Sequence, residues 1–161
     1  MANTPPIVHL DKVERRTIGN GKGFSATIAR IGGQLGARAL GCTLVELQPG
    51  ERAWPFHLHY GAEELFVVLE GSGTLRYDEG EFPLGENEIF FAPTGEGTAH
   101  QIINTSDKVM KYLAFSHNLD PEICFYPDSG KFGSYARNRK GSELAFMANK
   151  DSALNYYDGE D

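Results

Sequence analysis

Between residues 24 and 117 the chain is never far from a turn signal. Gly32-Gly33, Gln48-Pro49-Gly50, Gly71-Ser72-Gly73, Asp78-Glu79-Gly80, Gly85-Glu86-Asn87 and Pro93 to Gly97 break it into short pieces. The pieces between them show no convincing long helix. What lies between the breaks suits strands. Phe24 to Ile31 alternates apolar and polar residues, and Arg38 to Leu47, Glu64 to Leu69 and Val109 to Ser116 are rich in Val, Leu and Phe. Shorter strands are expected over Thr74 to Tyr77, Glu81 to Leu84, Glu88 to Ala92 and Thr98 to Asn104, with Gly71-Ser72-Gly73 read as a hairpin. About ten short strands at close spacing predict an all-β antiparallel sandwich or barrel.

The ends are less patterned. Residues 1–20 suit an edge strand or an arm onto a neighbouring subunit. Pro121 to Phe125 reads as a short strand or turn, Tyr126 to Lys131 as a turn cluster, and Ser142 to Met147 as a helical turn or terminal strand. At 161 residues one domain, 1–161, is expected, with its core barrel at about 24–117.

Charge narrows the partners. The net charge of -7 comes with no Lys/Arg block, so nucleic acid and anionic membrane surfaces are not expected. No run approaches the roughly 18 apolar residues of a membrane span. The N-terminus has neither a basic nor an apolar leader region, so a cytoplasmic location is expected. Cys42 sits in the apolar run L-G-C-T-L-V and reads as a buried free thiol; nothing argues for a disulfide with Cys124.

Three of the five histidines, His57, His59 and His100, fall in this strand-rich middle. His57 and His59 are two apart, so on extended backbone they share a side. A carboxylate from the next strand, Glu63 or Glu64, could join them. Parity does not choose, because Glu64 shares a face with Phe66 and Val68 and Glu63 with Leu65, Val67 and Leu69. Imidazole nitrogen and carboxylate oxygen together suit a divalent first-row metal.

The spacing Gly50-x6-His57-x-His59-x4-Glu64-x6-Gly71 resembles the first motif of the cupin superfamily, G-x5-H-x-H-x3,4-E-x6-G. The stretch Gly85 to Asn104 resembles the second, with Pro93-x-Gly95 and His100-x3-Asn104 in order. It departs in two places. Seven residues separate Gly85 from Pro93 and four separate Gly95 from His100, although Gly97-x2-His100 restores the short spacing. The resemblance covers roughly residues 40–117. It implies a double-stranded β-helix, the cupin jelly-roll barrel, here with an N-terminal arm and a short irregular C-terminal tail. It also implies one divalent metal ion (Fe, Mn, Ni, Co or Zn) held by His57, His59, Glu64 and His100. Cupins are often dimers, so a homodimer is expected. A-H-Q-I-I-N-T-S, Y-P-D-S-G-K and the Y-Y-D-G-E-D ending look like those of small bacterial cupins named as cupin-barrel proteins or candidate sugar-phosphate isomerases. Fold alone does not fix function.

A metal with open positions would polarise a small oxygen ligand. An isomerase or epimerase of a hydroxy-carbonyl or sugar phosphate substrate would further need a base and a basic grip. Tyr77, Tyr112 and His117 are candidates for the base, and Arg52, Arg76 and Lys131 for the grip. Trp54 and Phe56 are expected to pack at the barrel mouth, and Tyr126 to Lys131 to turn on the surface or fold over it. A metal-dependent dioxygenase and a non-enzymatic small-molecule or metal-binding cupin are the alternatives.

Overall fold

The computed structural model describes residues 5–137 and 143–160. Its strands in chain order are β1 Arg16–Gly19, β2 Ser25–Arg30, β3 Leu40–Leu47, β4 Leu58–His59, β5 Glu64–Glu70, β6 Ser72–Tyr77 and β7 Gly80–Gly85. They continue as β8 Ile89–Ala92, β9 His100–Ile103, β10 Met110–His117, β11 Glu122–Tyr126, β12 Lys131–Arg137 and β13 Glu143–Asn149. Among the described residues the one α-helix, α1, is a single turn, Ile31–Gln34. The all-β expectation holds.

One wall is a six-stranded sheet in the order β1-β2-β3-β10-β5-β8. The facing side is built from β7-β6-β9 and from β13-β12-β11-β4. The inner face of the large sheet follows from strand parity. Ile28, Val45, Tyr112 and Val68 lie in register across β2, β3, β10 and β5, all inward. With Leu47, Met110, Leu75, Ile102 and Leu84 they form the main buried cluster. Burying a side chain of this size stabilises by about 1.5–3 kcal/mol.

The two histidine-bearing segments are stitched together by backbone. Gly50 donates to the Asn104 carbonyl and Asn104 donates to that of Glu51. Arg52 bridges Ile103, and His57 bridges His100. Four residues lie between Arg52 and His57 and two between His100 and Ile103, so the first segment carries two unmatched residues, and Trp54 within it packs against the main buried cluster. The Trp54 carbonyl is met by Gln101 Nε2 at 2.7 Å.

Two expectations are corrected and a third is narrowed. Gly71-Ser72-Gly73 is not a hairpin: β5 pairs with β10 and β8, whereas β6 pairs with β7 and β9. Gly71 is where the chain leaves one sheet for the other. It has φ +78°, and a Cβ there would run into the Val109 carbonyl, so glycine is required. Gly32-Gly33 lies in α1 rather than in a loop. The irregular C-terminal tail is confined to the described residues after β13: β11, β12 and β13 pair in order and β11 also pairs with β4, so the strand alternatives for Pro121 to Phe125 and for Ser142 to Met147 hold over the described residues. Apolar residues fall on both faces of β13, with Phe146 60% and Met147 47% exposed, so no alternation marked it. Ser142 lies outside the described residues. Residues 16–19 form an edge strand, as expected for the N-terminal region.

Candidate metal centre

A cavity of about 860 Å3 opens between the sheets, and His57, His59, Glu64 and His100 all line it. Each arrives by a different local route. His57 is placed by its bridge to His100, with backbone hydrogen bonds of 3.2 and 2.8 Å in the two directions. His59 is placed by β4, opposite Cys124 of β11. Glu64 opens β5 opposite Ser116 and Ala92, two residues before buried Phe66 on the same face. Glu63 points the other way and is exposed. The carboxylate choice that parity left open is therefore Glu64 in the fold.

The ligand atoms of His57, His59 and Glu64 lie within 4.8 Å of one another. His100 Nε2 is 3.0 Å and His59 Nε2 3.3 Å from Glu64 Oε2. The His57 ring centroid is 4.9 Å from that of His59 and 4.8 Å from that of His100.

The outer nitrogens are engaged. His57 Nδ1 donates to the Pro55 carbonyl at 2.8 Å and His100 Nδ1 to the Thr98 carbonyl at 3.1 Å. His59 Nδ1 is 3.3 Å from Cys124 Sγ and 3.4 Å from Glu122 Oε1. The adjacent carboxylate favours a proton on that nitrogen. His59 Nε2 and His100 Nε2 both face Glu64 Oε2, and the His100 contact is a hydrogen bond, so without an ion protons hold these groups together. A divalent ion bound there would take the place of those protons and draw on the Nε2 lone pairs and the carboxylate oxygen. With metal–ligand bonds of about 2.1 Å, neighbouring donors sit about 3.0–3.4 Å apart, which the two Glu64 distances match. The residues present fit a divalent ion, and the engaged Nδ1 atoms are the outer support such ligands use.

Without an ion the site's groups differ electrostatically: His57 is held neutral, while His59 holds a proton that a metal would have to displace. Burial, helped by His100 and His59, pulls the His57 pKa down to about 3, which keeps the ring neutral. Burial also works against a charge on His59, but Cys124 and Glu64 overcome it and push the pKa up to about 10. Burial likewise opposes ionisation of Glu64, yet the hydrogen bond with His100 and the nearby His59 hold it well below the usual carboxylate range.

A second grouping, His59 with Glu122 and Cys124, lies on the far side of the same imidazole. Glu122 and Cys124 are two apart on β11, so both face His59. Glu122 Oε1 also accepts from the Gly61 amide at 3.2 Å. Sequence reading missed this pair because the strand carrying it falls in the unpatterned region.

The other candidates separate. Tyr112 and His117 line the cavity, and Tyr77 packs instead against Phe90. Burial pushes the Tyr112 hydroxyl far up, with Glu64 adding to it, so it keeps its proton. Trp54 lines the cavity, whereas Phe56 is buried with Leu58 and Ala99. None of the expected grip residues reaches the wall. Arg52 lies over the Phe24 ring, Arg76 over Phe56 while pairing with Asp128, and Lys131 over Tyr126. Pro127–Ser129 makes a 3-10 turn, and Tyr126 before it lines the cavity. Both cysteines are free, Cys42 half-buried and Cys124 buried. The motif residue Asn104 has no access to the site. It is fully buried and donates to the Leu47 and Lys108 carbonyls at 2.9 and 2.7 Å while accepting from Ser106.

Comparison with known proteins decides the family. The cupin-domain family model matches residues 43–116, the span from β3 to β10 that holds the four converging side chains. Residues 43–116 are a cupin domain. Auxin-binding protein 1 of Arabidopsis thaliana is 35% identical over 89 residues, 50% of this chain and 43% of that one. The chain spans less than half the length of the curated relatives it matches. Among solved structures, a sugar phosphate isomerase of the cupin superfamily from Silicibacter pomeroyi is 25% identical. It covers 95% of this chain and 98% of its own, with a TM-score of 0.79. A candidate sugar phosphate isomerase from Acidithiobacillus ferrooxidans shares the fold at 20% identity, covering 94% and 96%, with a TM-score of 0.80. Coverage this high means that the shared fold extends past the cupin domain into the strands from Glu122 onward. Among the described residues no helix is long and apolar enough to cross a membrane.

Proposed function

We propose that this cupin is a metal-dependent enzyme of the isomerase or epimerase type, acting on a small hydroxy-carbonyl or sugar phosphate compound. The observation that carries the reading is that His57, His59 and Glu64 offer ligand atoms within 4.8 Å of one another and His100 Nε2 lies 3.0 Å from Glu64 Oε2, with every Nδ1 engaged elsewhere. His57, His59, Glu64 and His100 would hold one divalent ion, which supplies Lewis acidity toward a carbonyl or hydroxyl oxygen. Its identity, among Fe, Mn, Ni, Co and Zn, is open to measurement. The likeness to the Silicibacter pomeroyi sugar phosphate isomerase over nearly the whole chain supports the substrate class.

The remaining work belongs to side chains on the wall. Isomerisation moves one proton between neighbouring carbons and one between their oxygens, so no external oxidant is required. His117 lies on the wall at the end of β10 and is assigned the carbon-bound proton. Tyr112, protonated and buried, is assigned to donate a hydrogen bond to a substrate oxygen. Trp54 and Phe66 on the wall exclude water from one side of the substrate.

The test pairs elemental analysis of protein purified without added metal with proton exchange at the substrate carbon, followed by NMR in D2O over a panel of aldose and ketose phosphates. Bound metal and exchange that requires it support the reading. Metal with oxygen consumption instead would establish the dioxygenase alternative, and ligand binding without turnover the non-enzymatic one.

A further inference from the structure

Arginines that no motif marked stand on the cavity wall. Arg16, Arg30 and Arg38 all line it. Their positions follow from parity. On β2, Ala26 and Ile28 face the core, and Arg30 is the next residue on that face. On β1, Ile18 packs against the core and Arg16 is two residues before it, opposite Ile28. Arg38 lies in the segment between α1 and β3. The inner face thus changes from apolar to cationic as it reaches the open end of the cavity.

Other arginines have partners. Arg15 binds Glu46 and backbone carbonyls, and Arg76 makes a two-pronged pair with Asp128. Among the described residues the guanidinium groups of Arg16, Arg30 and Arg38 make no hydrogen bond or ion pair. Two glutamates line the same cavity: Glu64 is held by the histidines, and Glu122 uses Oε1 toward Gly61 and His59 while its buried Oε2 has no hydrogen-bond partner. In a chain of net charge -7, three uncommitted arginines on one wall are a local reversal of sign. Such a wall raises the local concentration of anions and steers them in.

The strand order fixes how this end relates to the histidines. Arg30 lies opposite Thr43, Thr43 opposite Ala114, and Ala114 opposite Phe66, one step along β5 face from Glu64. From β2 to β5 are three strand spacings, on the order of 14 Å along the sheet. The space between is open cavity. We propose that Arg16, Arg30 and Arg38 form an anion subsite at the cavity mouth, taking the phosphate or carboxylate end of a substrate whose oxygenated other end reaches the His57, His59, Glu64 and His100 cluster. The inference rests on the proposed function for the second half of that statement and on the arginines alone for the first. Guanidinium groups are suited to this role because their paired N–H donors match phosphate and carboxylate oxygens.

The experiment is calorimetric titration of the full chain with inorganic phosphate, glycerol 3-phosphate and glycerate. The proteins are wild type, Arg38→Gln, the double variant Arg16→Gln/Arg30→Gln, and His57→Ala. Wild type should bind one or more of the anions, with phosphate ligands tighter than glycerate if the subsite is built for a dianion and the reverse if it is built for a carboxylate. The double variant should weaken binding by about tenfold or more, and Arg38→Gln by less. His57→Ala should retain anion affinity within about twofold of wild type while losing metal. Metal content in the double variant should equal that of wild type. Absence of anion binding in wild type, unchanged affinity in the double variant, or loss of affinity in His57→Ala would each overturn the subsite. If arginine-dependent binding persists in protein that never holds metal, the subsite stands and the enzymatic reading falls. The three arginine side chains make no hydrogen bond or ion pair among the described residues, so the melting temperatures of the arginine variants should stay at the wild-type value and show that they are folded.

Discussion

His57 and His100 face each other across an isolated antiparallel bridge, exchange both backbone hydrogen bonds at 3.2 and 2.8 Å, and hold their rings tilted at 44° with centroids 4.8 Å apart. They are 43 positions apart in the chain. The bridge therefore makes the site a product of the fold rather than of any local segment. It also fixes both rings before any ion arrives, since each Nδ1 is already held by a carbonyl two residues away.

The carboxylate assignment is the simplest to check. Glu64 lies 3.0 Å from His100 Nε2, while Glu63 is exposed. Elemental analysis should find most metal gone from His57→Ala and Glu64→Gln, and wild-type stoichiometry in Glu63→Ala. Metal lost from the Glu63 variant and kept in the Glu64 variant would sink the assignment.

Glu122 positions His59 rather than supplying a fourth imidazole-like donor, because its contact is with Nδ1 at 3.4 Å. Glu122→Gln should weaken metal binding by about 10–100-fold in chelator competition while leaving stoichiometry intact at saturating metal. Glu122→Asp should recover part of the loss. Unchanged affinity in both would mean that Glu122 serves only the Gly61 amide.

Asn104 tests whether the second motif's asparagine is structural. Replacing it by Ala leaves the Leu47 and Lys108 carbonyls without their donor in a buried turn. The cost is about 1–3 kcal/mol per stranded group. Chemical denaturation should show a loss of that size, with metal stoichiometry preserved in the folded protein. Loss of metal at unchanged stability would contradict the structural role.

The Arg76–Asp128 pair ties β6 to the turn before β12, with bonds of 2.7 and 2.8 Å. Hydrogen bonding from Arg76 is the main cause that holds the Asp128 carboxyl below its ordinary value. A depressed carboxylate stabilises the fold above its unfolded pKa of about 3.9 and loses that contribution as pH falls through the lower folded value. Asp128 is 54% exposed, so screening keeps the effect within about 1 kcal/mol. Asp128→Asn should melt about 2–4 °C below wild type at pH 7, and the gap should close as pH falls through the depressed Asp128 value. A gap that widens with acid would give the pair the opposite sign.

The barrel was legible because turn residues are local properties, and the spacing of the histidines and Glu64 named four side chains that line one cavity. Glu64 needed more than parity, since Phe66 and Leu65 are both apolar although the first is buried and the second 37% exposed. The Gly71 hairpin was misread because a glycine at positive φ looks the same whether it closes a hairpin or lets a strand change sheets. Glu122, Cys124 and the three cavity arginines were invisible for a different reason. Their role depends on which strand lies alongside, as in the pairing of Cys124 with His59, and no spacing within the chain encodes that.

The position of β11 outside residues 43–116 has a consequence for how such proteins diverge. The four side chains proposed to hold the ion lie inside the matched segment, and the strand that braces one of them lies outside it. Substitutions at 122 and 124 could retune ligand basicity and the preferred ion while the H-x-H, Glu and His spelling stays unchanged. Two homologues alike at 57, 59, 64 and 100 should therefore be grouped by chemistry only when 122 and 124 have been read as well.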